Sequence, residues 1–260
     1  FATVVEKAQA LTKQYEDSFL LWNILGVSAG QISEFEKAIN AFMKSISLKP
    51  DYAEAHSNMG NVLKDQGKLN EAIKSYKKSI TFNPEYTEAY FNIGIALKDI
   101  GNLDEAIKSF KKVILLKPDY AEAYNNMGVT LADQFMFDEA IQAYKKYISL
   151  KPDNAFAYYN LGNAFEKQGK LDCAIEAYGQ ALTINPNYAE AFCNMGVTLK
   201  NQGKLDEAIV NYKKSISLKH NYHDAYYNMG ITFLDQGKMD EAVSAFEKVI
   251  RKVVREEIDY

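Results

Sequence analysis

Glycine recurs at positions 26, 60, 94, 128, 162, 196 and 230, each 34 residues after the last, and the residues around one return around the next. A period of this length held along a whole chain leaves few folds open. One such unit cannot bury its own apolar face and gains a core only by stacking on its copies. Residues 1–260 therefore read as a single elongated array with no central core. Residues 1–18 align with the second helix of a partial preceding unit. Seven full repeats run 19–52, 53–86, 87–120, 121–154, 155–188, 189–222 and 223–256, and residues 257–260 end an extended last helix.

Positions are numbered 1 to 34 within each repeat, and repeat 53–86 serves as the example. Asp51 and Glu54 resemble a capping box that opens helix A near Ala53. Gly67, matched at 101, 169, 203 and 237, offers the left-handed conformation in which helices often end. Asn70, matched by Asp104, Asp138, Asp172, Asp206 and Asp240, suits the N-cap of helix B, and Pro84, with Pro50, Pro118, Pro152 and Pro186, closes the unit. Each repeat is thus a hairpin of two antiparallel helices. Gly60 and Ala72, at positions 8 and 20, are small enough to let the backbones approach. Aromatic columns at position 4 (Trp22 to Tyr226, with His56) and position 24 (Phe42 to Phe246) read as core. Upstream, Thr3–Tyr15 reads as a helix with Val4, Val5, Ala8 and Leu11 on one face.

Departures from the period mark special places. Phe135-Met136-Phe137 replaces a polar turn, so Phe135 and Met136 are expected to be exposed and sticky while Phe137 joins the core. Gly179 lies inside a helix, where it costs about 1 kcal/mol relative to alanine. His220 stands in place of proline, so the sixth repeat is expected to close less sharply. His220, His223 and Asp224 straddle a change of helix and are not read as a metal site. After residue 222 no proline follows, and Val249, Ile250, Val253, Val254 and Ile258 suggest an apolar stripe running to the end of the last helix.

Composition excludes several functions. Hydrophobic residues at 47% and charged residues at 25% place the chain in the folded class. A net charge of −4 and the absence of a basic stripe argue against nucleic-acid binding. No apolar run is long enough to span a membrane. The two cysteines, Cys173 and Cys193, have no metal-ligand spacing and suit a reducing, cytoplasmic compartment. Phe1 in place of a start Met suggests a fragment or a processed form. No phosphate loop, metal motif or nucleophile elbow occurs, so no catalytic residue, metal or cofactor is expected.

The order Trp22-x-x-Leu25-Gly26, then Ala38, Phe42 and Pro50, together with the period, resembles the tetratricopeptide repeat family over nearly the whole chain. That resemblance implies an all-α fold, a right-handed α-solenoid superhelix of antiparallel helix pairs, with A helices lining a concave groove that takes peptides or extended protein segments. It also implies that positions 2, 5, 6, 9, 12 and 13 of helix A face the groove.

Within those columns position 6 is Asn58, Asn92, Asn126, Asn160, Asn194 and Asn228, with Ile24 the one exception. Asparagine is a mediocre helix former, so its repetition asks for a reason. One reading is a ladder. Carboxamides at about 8–10 Å intervals would meet every third residue of a chain extended at about 3.3 Å per residue and pair with its backbone. This resembles the asparagine ladder of O-linked N-acetylglucosamine transferase. The other reading is structural, with each amide bonding its neighbour across the stack of A helices. Asn61 with Asn92, and Asn163 with Asn194, supply the amide pairs of the family's carboxylate clamp, but Ser57 and Tyr159 stand where that clamp needs lysine. At position 5, Phe91, Tyr159 and Tyr227 alternate with Ser57, Asn125 and Cys193; they form groove pockets or pack sideways. The acidic column at position 2 is read as capping. The expected function is a non-catalytic scaffold for protein or peptide segments. The alternatives are the substrate-recruiting part of a larger enzyme such as a glycosyltransferase, and end-to-end self-association.

Overall fold

The structure is a computed structural model that describes the backbone of residues 2–258 and the side chains of residues 2–250. It is all α. Among the described residues there are fifteen helices and no strand, gathered into two compact units, residues 1–130 and 131–260.

The first unit holds α1 (Ala2–Gln14), α2 (Phe19–Gln31), α3 (Phe35–Leu48), α4 (Ala53–Asp65), α5 (Leu69–Phe82), α6 (Thr87–Asp99), α7 (Leu103–Leu116) and most of α8 (Ala121–Asp133). Each hairpin packs on itself and then on the next, α2 on α3, α3 on α4, α4 on α5, as a solenoid requires. The second unit holds α9 (Phe137–Leu150), α10 (Ala155–Lys167), α11 (Leu171–Ile184), α12 (Ala189–Asn201), α13 (Leu205–Leu218), α14 (His223–Asp235) and α15 (Met239–Ile258), stacked in the same way.

The A helices end as the glycine column suggests. Gly67, Gly101, Gly169, Gly203 and Gly237 have φ between 72° and 80°, and Ser33 (63°) and Phe135 (62°) take the same left-handed conformation without being glycine. A hydrogen bond then runs from the next amide back to the helix, as from Lys68 N to Leu63 O at 2.9 Å.

Helix starts differ from the expectation. The N-cap of α4 is Tyr52, which makes no side-chain cap, so Asp51 and Glu54 form no capping box. The first free amides are taken by backbone, with Ala55 N donating to Tyr52 O at 3.1 Å. The tyrosine at position 34 is held elsewhere: Tyr52 packs edge-on against Phe19, and Tyr120 lies against Phe91. Side-chain caps occur at Ser18 for α2 and Asn154 for α10, whereas Asn102 at the start of α7 makes none. Asn70 and the matching aspartates are also not N-caps. The helices begin one residue earlier, and Asp172 and Asp206 instead accept from Gln202 and Gln236, at 2.7 and 2.8 Å.

The core is the position 24 column. Phe42, Tyr76, Phe110, Tyr178 and Tyr212 are almost wholly buried, and each lies on the position 8 glycine of its own repeat. A Cβ on Gly60 would sit 2.6 Å from the Tyr76 ring. The glycine therefore makes room for an aromatic ring, more than for a backbone. Position 4 is half-buried at most places, and its polar tips reach back six residues: Trp22 Nε1 donates to Glu16 O at 2.8 Å and Tyr124 Oη to Pro118 O at 3.1 Å.

Three smaller expectations change. In α1 the buried face is Val5, Ala8 and Thr12, while Val4 and Leu11 are exposed. α13 ends at Leu218, at the same repeat position as helices followed by proline, so His220 does not loosen the closure. The apolar stripe of α15 beyond residue 250 lies outside the described side chains.

Candidate functional site

The position 6 asparagines are all half-buried on the A helices. In the first unit Asn58 Nδ2 donates to Asn23 Oδ1 on α2 at 3.2 Å, and Asn92 Nδ2 donates to Asn61 Oδ1 on α4 at 3.0 Å. Asn61 Oδ1 also accepts from the Tyr76 hydroxyl at 2.8 Å, so a three-member relay ties α5, α4 and α6 together. Asn126 behaves otherwise and turns its Nδ2 to Glu122 O on its own helix at 2.9 Å. The cause is the repeat before it, where Phe91 and Ile95 occupy positions 5 and 9 and neither side chain accepts a hydrogen bond. Phe91 packs sideways, with its ring 5.9 Å from Phe110 and 5.1 Å from Tyr120.

The second unit repeats the relay. Asn163 Oδ1 accepts from the Tyr178 hydroxyl at 2.7 Å and from Asn194 Nδ2 at 2.9 Å, and Asn194 Nδ2 also lies 3.0 Å from the Tyr159 hydroxyl. Tyr159 lies tilted against Tyr188 at 5.0 Å and against Tyr178 at 6.0 Å, with the exposed ring of Phe156 at 6.3 Å. Asn160 Nδ2 is buried without a hydrogen-bond partner. Asn228 lies beside the Cys193 thiol. Tyr227, on α14, packs one edge against Phe246 at 5.9 Å and is 53% exposed.

Burial governs the ionisation of these groups. It holds the Tyr76 and Tyr178 hydroxyls well above the usual tyrosine range, with the charges of Asp65 and Glu166 adding to the effect, so both stay neutral donors. Burial also pushes Tyr188 up to about 12 and the Cys193 thiol up to about 11. Glu190, in the acidic position 2 column, makes a 2.9 Å ion pair with Lys219 whose hydrogen bond holds its carboxyl below the usual range.

Some of this was missed in the residues alone. Position 24 supplies more than core volume: both repeats with asparagine at position 9, Asn61 and Asn163, carry tyrosine there and use its hydroxyl. That pairing is visible in the sequence. Asn23, which receives Asn58, stands outside the position 6 column and gave no signal. Among the described residues no cluster of His, Cys, Asp and Glu is arranged to hold a metal, and no helix is long and apolar enough to cross a membrane.

The family described as TPR repeat matches residues 31–67, 60–101, 96–134, 137–169, 167–203 and 199–237, and the family described as tetratricopeptide repeat matches 224–253. A crystal structure of MamA is 33% identical over 65% of this chain and 98% of that one, with a TM-score of 0.61. YrrB, a TPR protein with an unusual peptide-binding site, is 26% identical over 69% of this chain and 92% of its own, with a TM-score of 0.59. MamA from Desulfovibrio magneticus RS-1, at 24% identity over 65% of this chain and 96% of its own and a TM-score of 0.63, is similar in fold. No curated protein matches the chain.

Proposed function

We propose, from the premise that this chain belongs to the tetratricopeptide repeat family, that it is a non-catalytic scaffold whose A helices hold extended protein or peptide segments through the position 6 asparagines. One observation carries the reading. Asn58, Asn92 and Asn194 each commit Nδ2 to the preceding repeat, while their half-exposed side chains have no donor to Oδ1 among the described residues. Amides fixed in this way present oriented acceptors, and the peptide N–H is a donor that every non-proline residue of a ligand carries. The ladder and the stack of bonded amides are therefore compatible, one using Oδ1 and the other Nδ2. The similarity to YrrB, a TPR protein with a peptide-binding site, supports the same class of ligand.

Isothermal titration with unstructured peptides tests the reading. Asn92→Ala and Asn194→Ala together leave the Tyr76–Asn61 and Tyr178–Asn163 bonds in place and should weaken binding by about tenfold, the effect of about 1.4 kcal/mol. Unchanged affinity overturns it.

A second reading, end-to-end self-association, is favoured by exposed apolar residues on the first two helices and the last. Val243 is 52% exposed, whereas its counterparts Ile73, Ile107 and Ile209 are 6–8% exposed. Val4, Leu20 and Ile24 are likewise exposed at the other end. Sedimentation across a concentration series decides it, because an unchanging monomer rules it out.

A further inference from the structure

The first unit contains an open pocket of about 450 Å³ between α2 and α4. Val27, Phe35 and Val62 give it an apolar wall, and Gln31, Asn58 and Asp65 a polar rim. Its origin is local. Position 12 is lysine, alanine, glutamate or leucine in the other six repeats, whereas Gly30 brings no side chain here. No cation lines the pocket. Asp65 is exposed at its rim and forms no ion pair among the described residues. Asn58 Nδ2 is held by Asn23, which leaves its Oδ1 as a second acceptor.

We infer that this pocket receives a basic side chain, lysine or arginine, of the segment held along the A helices; the inference rests on the scaffold reading and adds a side-chain preference to it. A basic side chain has the matching shape: an aliphatic stem that lies on apolar surface and a charged head that stays among polar groups. Here the stem lies along Val27, Phe35 and Val62, and the head meets the Asp65 carboxylate, with Asn58 Oδ1 a further acceptor along the same helix. An acidic side chain would face Asp65 with no compensating cation, and a purely aliphatic one would leave both acceptors unmatched.

The probes are n-butylammonium and its uncharged counterpart n-butanol, followed by the backbone amide resonances of the protein. Butylammonium should shift Gly30, Asn58 and Asp65, and butanol should leave them nearly unmoved. Asp65→Asn should abolish the response. So should Gly30→Lys, which gives the repeat the lysine found at 64, 98 and 200; its melting temperature is recorded to show that it folds. Equal shifts from both probes, or an undiminished response in Asp65→Asn, overturn the inference. A second arm compares peptides that differ only in lysine or norleucine. A preference for lysine of about tenfold that disappears in Asp65→Asn supports the inference. Equal binding by both peptides overturns it while leaving the scaffold reading intact. Binding of butylammonium with no binding by either peptide overturns the scaffold reading and leaves the pocket chemistry standing.

Discussion

Repeats 53–86 and 155–188 carry asparagine at position 9, where repeats 87–120 and 189–222 carry an aliphatic residue, and the behaviour of the asparagine column follows that position. In the first pair, position 9 is Asn61 or Asn163 and position 24 is Tyr76 or Tyr178, and a relay forms that fixes Asn92 or Asn194 of the next repeat. In the second pair position 9 is Ile95 or Val197. After Ile95 the amide of Asn126 turns to its own helix, and beside Val197 the Tyr212 hydroxyl is buried near Thr232 without a well-formed hydrogen bond. The column looks uniform in sequence, yet Asn58, Asn92 and Asn194 are held by the repeat before them, Asn126 turns to its own helix and Asn160 Nδ2 finds no partner.

The largest effect should come from breaking a relay. Asn163→Val leaves the buried Tyr178 hydroxyl without its acceptor and takes from the Asn194 amide one of its two partners, and should destabilise the protein by about 2–3 kcal/mol in urea unfolding. Adding Tyr178→Phe recreates the Ile95 and Phe110 arrangement and should recover at least half of that loss, because the orphaned hydroxyl is gone. A double variant as unstable as the single one would show that the relay is not the source.

The reverse conversion should be smaller. Val197→Asn offers the Tyr212 hydroxyl an acceptor in the place where Asn163 serves Tyr178, and should stabilise by about 1 kcal/mol. A loss of stability would mean that the backbones of the two repeat types are not interchangeable.

The alkaline response separates the pairs through position 5, which is Tyr159 in a relay repeat and Cys193 in the other kind. Burial raises the folded thiol to about 11 from an ordinary value of 9.0. The group contributes stability that is fully present below the unfolded value and is lost as pH rises through the folded one. Cys193→Ser should therefore show a shallower decline in urea midpoint than the parent between these two values. Parallel declines would contradict this.

The smallest effect is expected at Asn126. Its amide bonds only within its own helix, so Asn126→Ala should change stability by no more than about 0.5 kcal/mol. A loss comparable to Asn163→Val would erase the distinction between the two kinds of repeat.

The fold was largely legible because the period and the turn glycines are local signals. Gly67 and its counterparts take the positive φ that the sequence suggested, and Phe135 is 80% exposed at φ 62° as its odd position implied. Caps were less legible: the Asp51 and Glu54 box does not form at α4, and Asn154 caps α10 where no such role was expected of it. The orientation of the amides was not legible, since helical periodicity tells which face a residue occupies and says nothing of the partner across the next helix. Tyrosine and phenylalanine at position 24 look equivalent as volume and differ in the one atom that reaches Asn61.

Gly60 has no side chain, and the Tyr76 ring occupies the space that a β-carbon would need. The depth to which that ring sinks sets where its hydroxyl arrives, and hence how Asn61 and Asn92 are aimed. A methyl group added at this hidden site would tilt the visible face of the next repeat, so a lesion out of a ligand's reach would be felt as altered recognition.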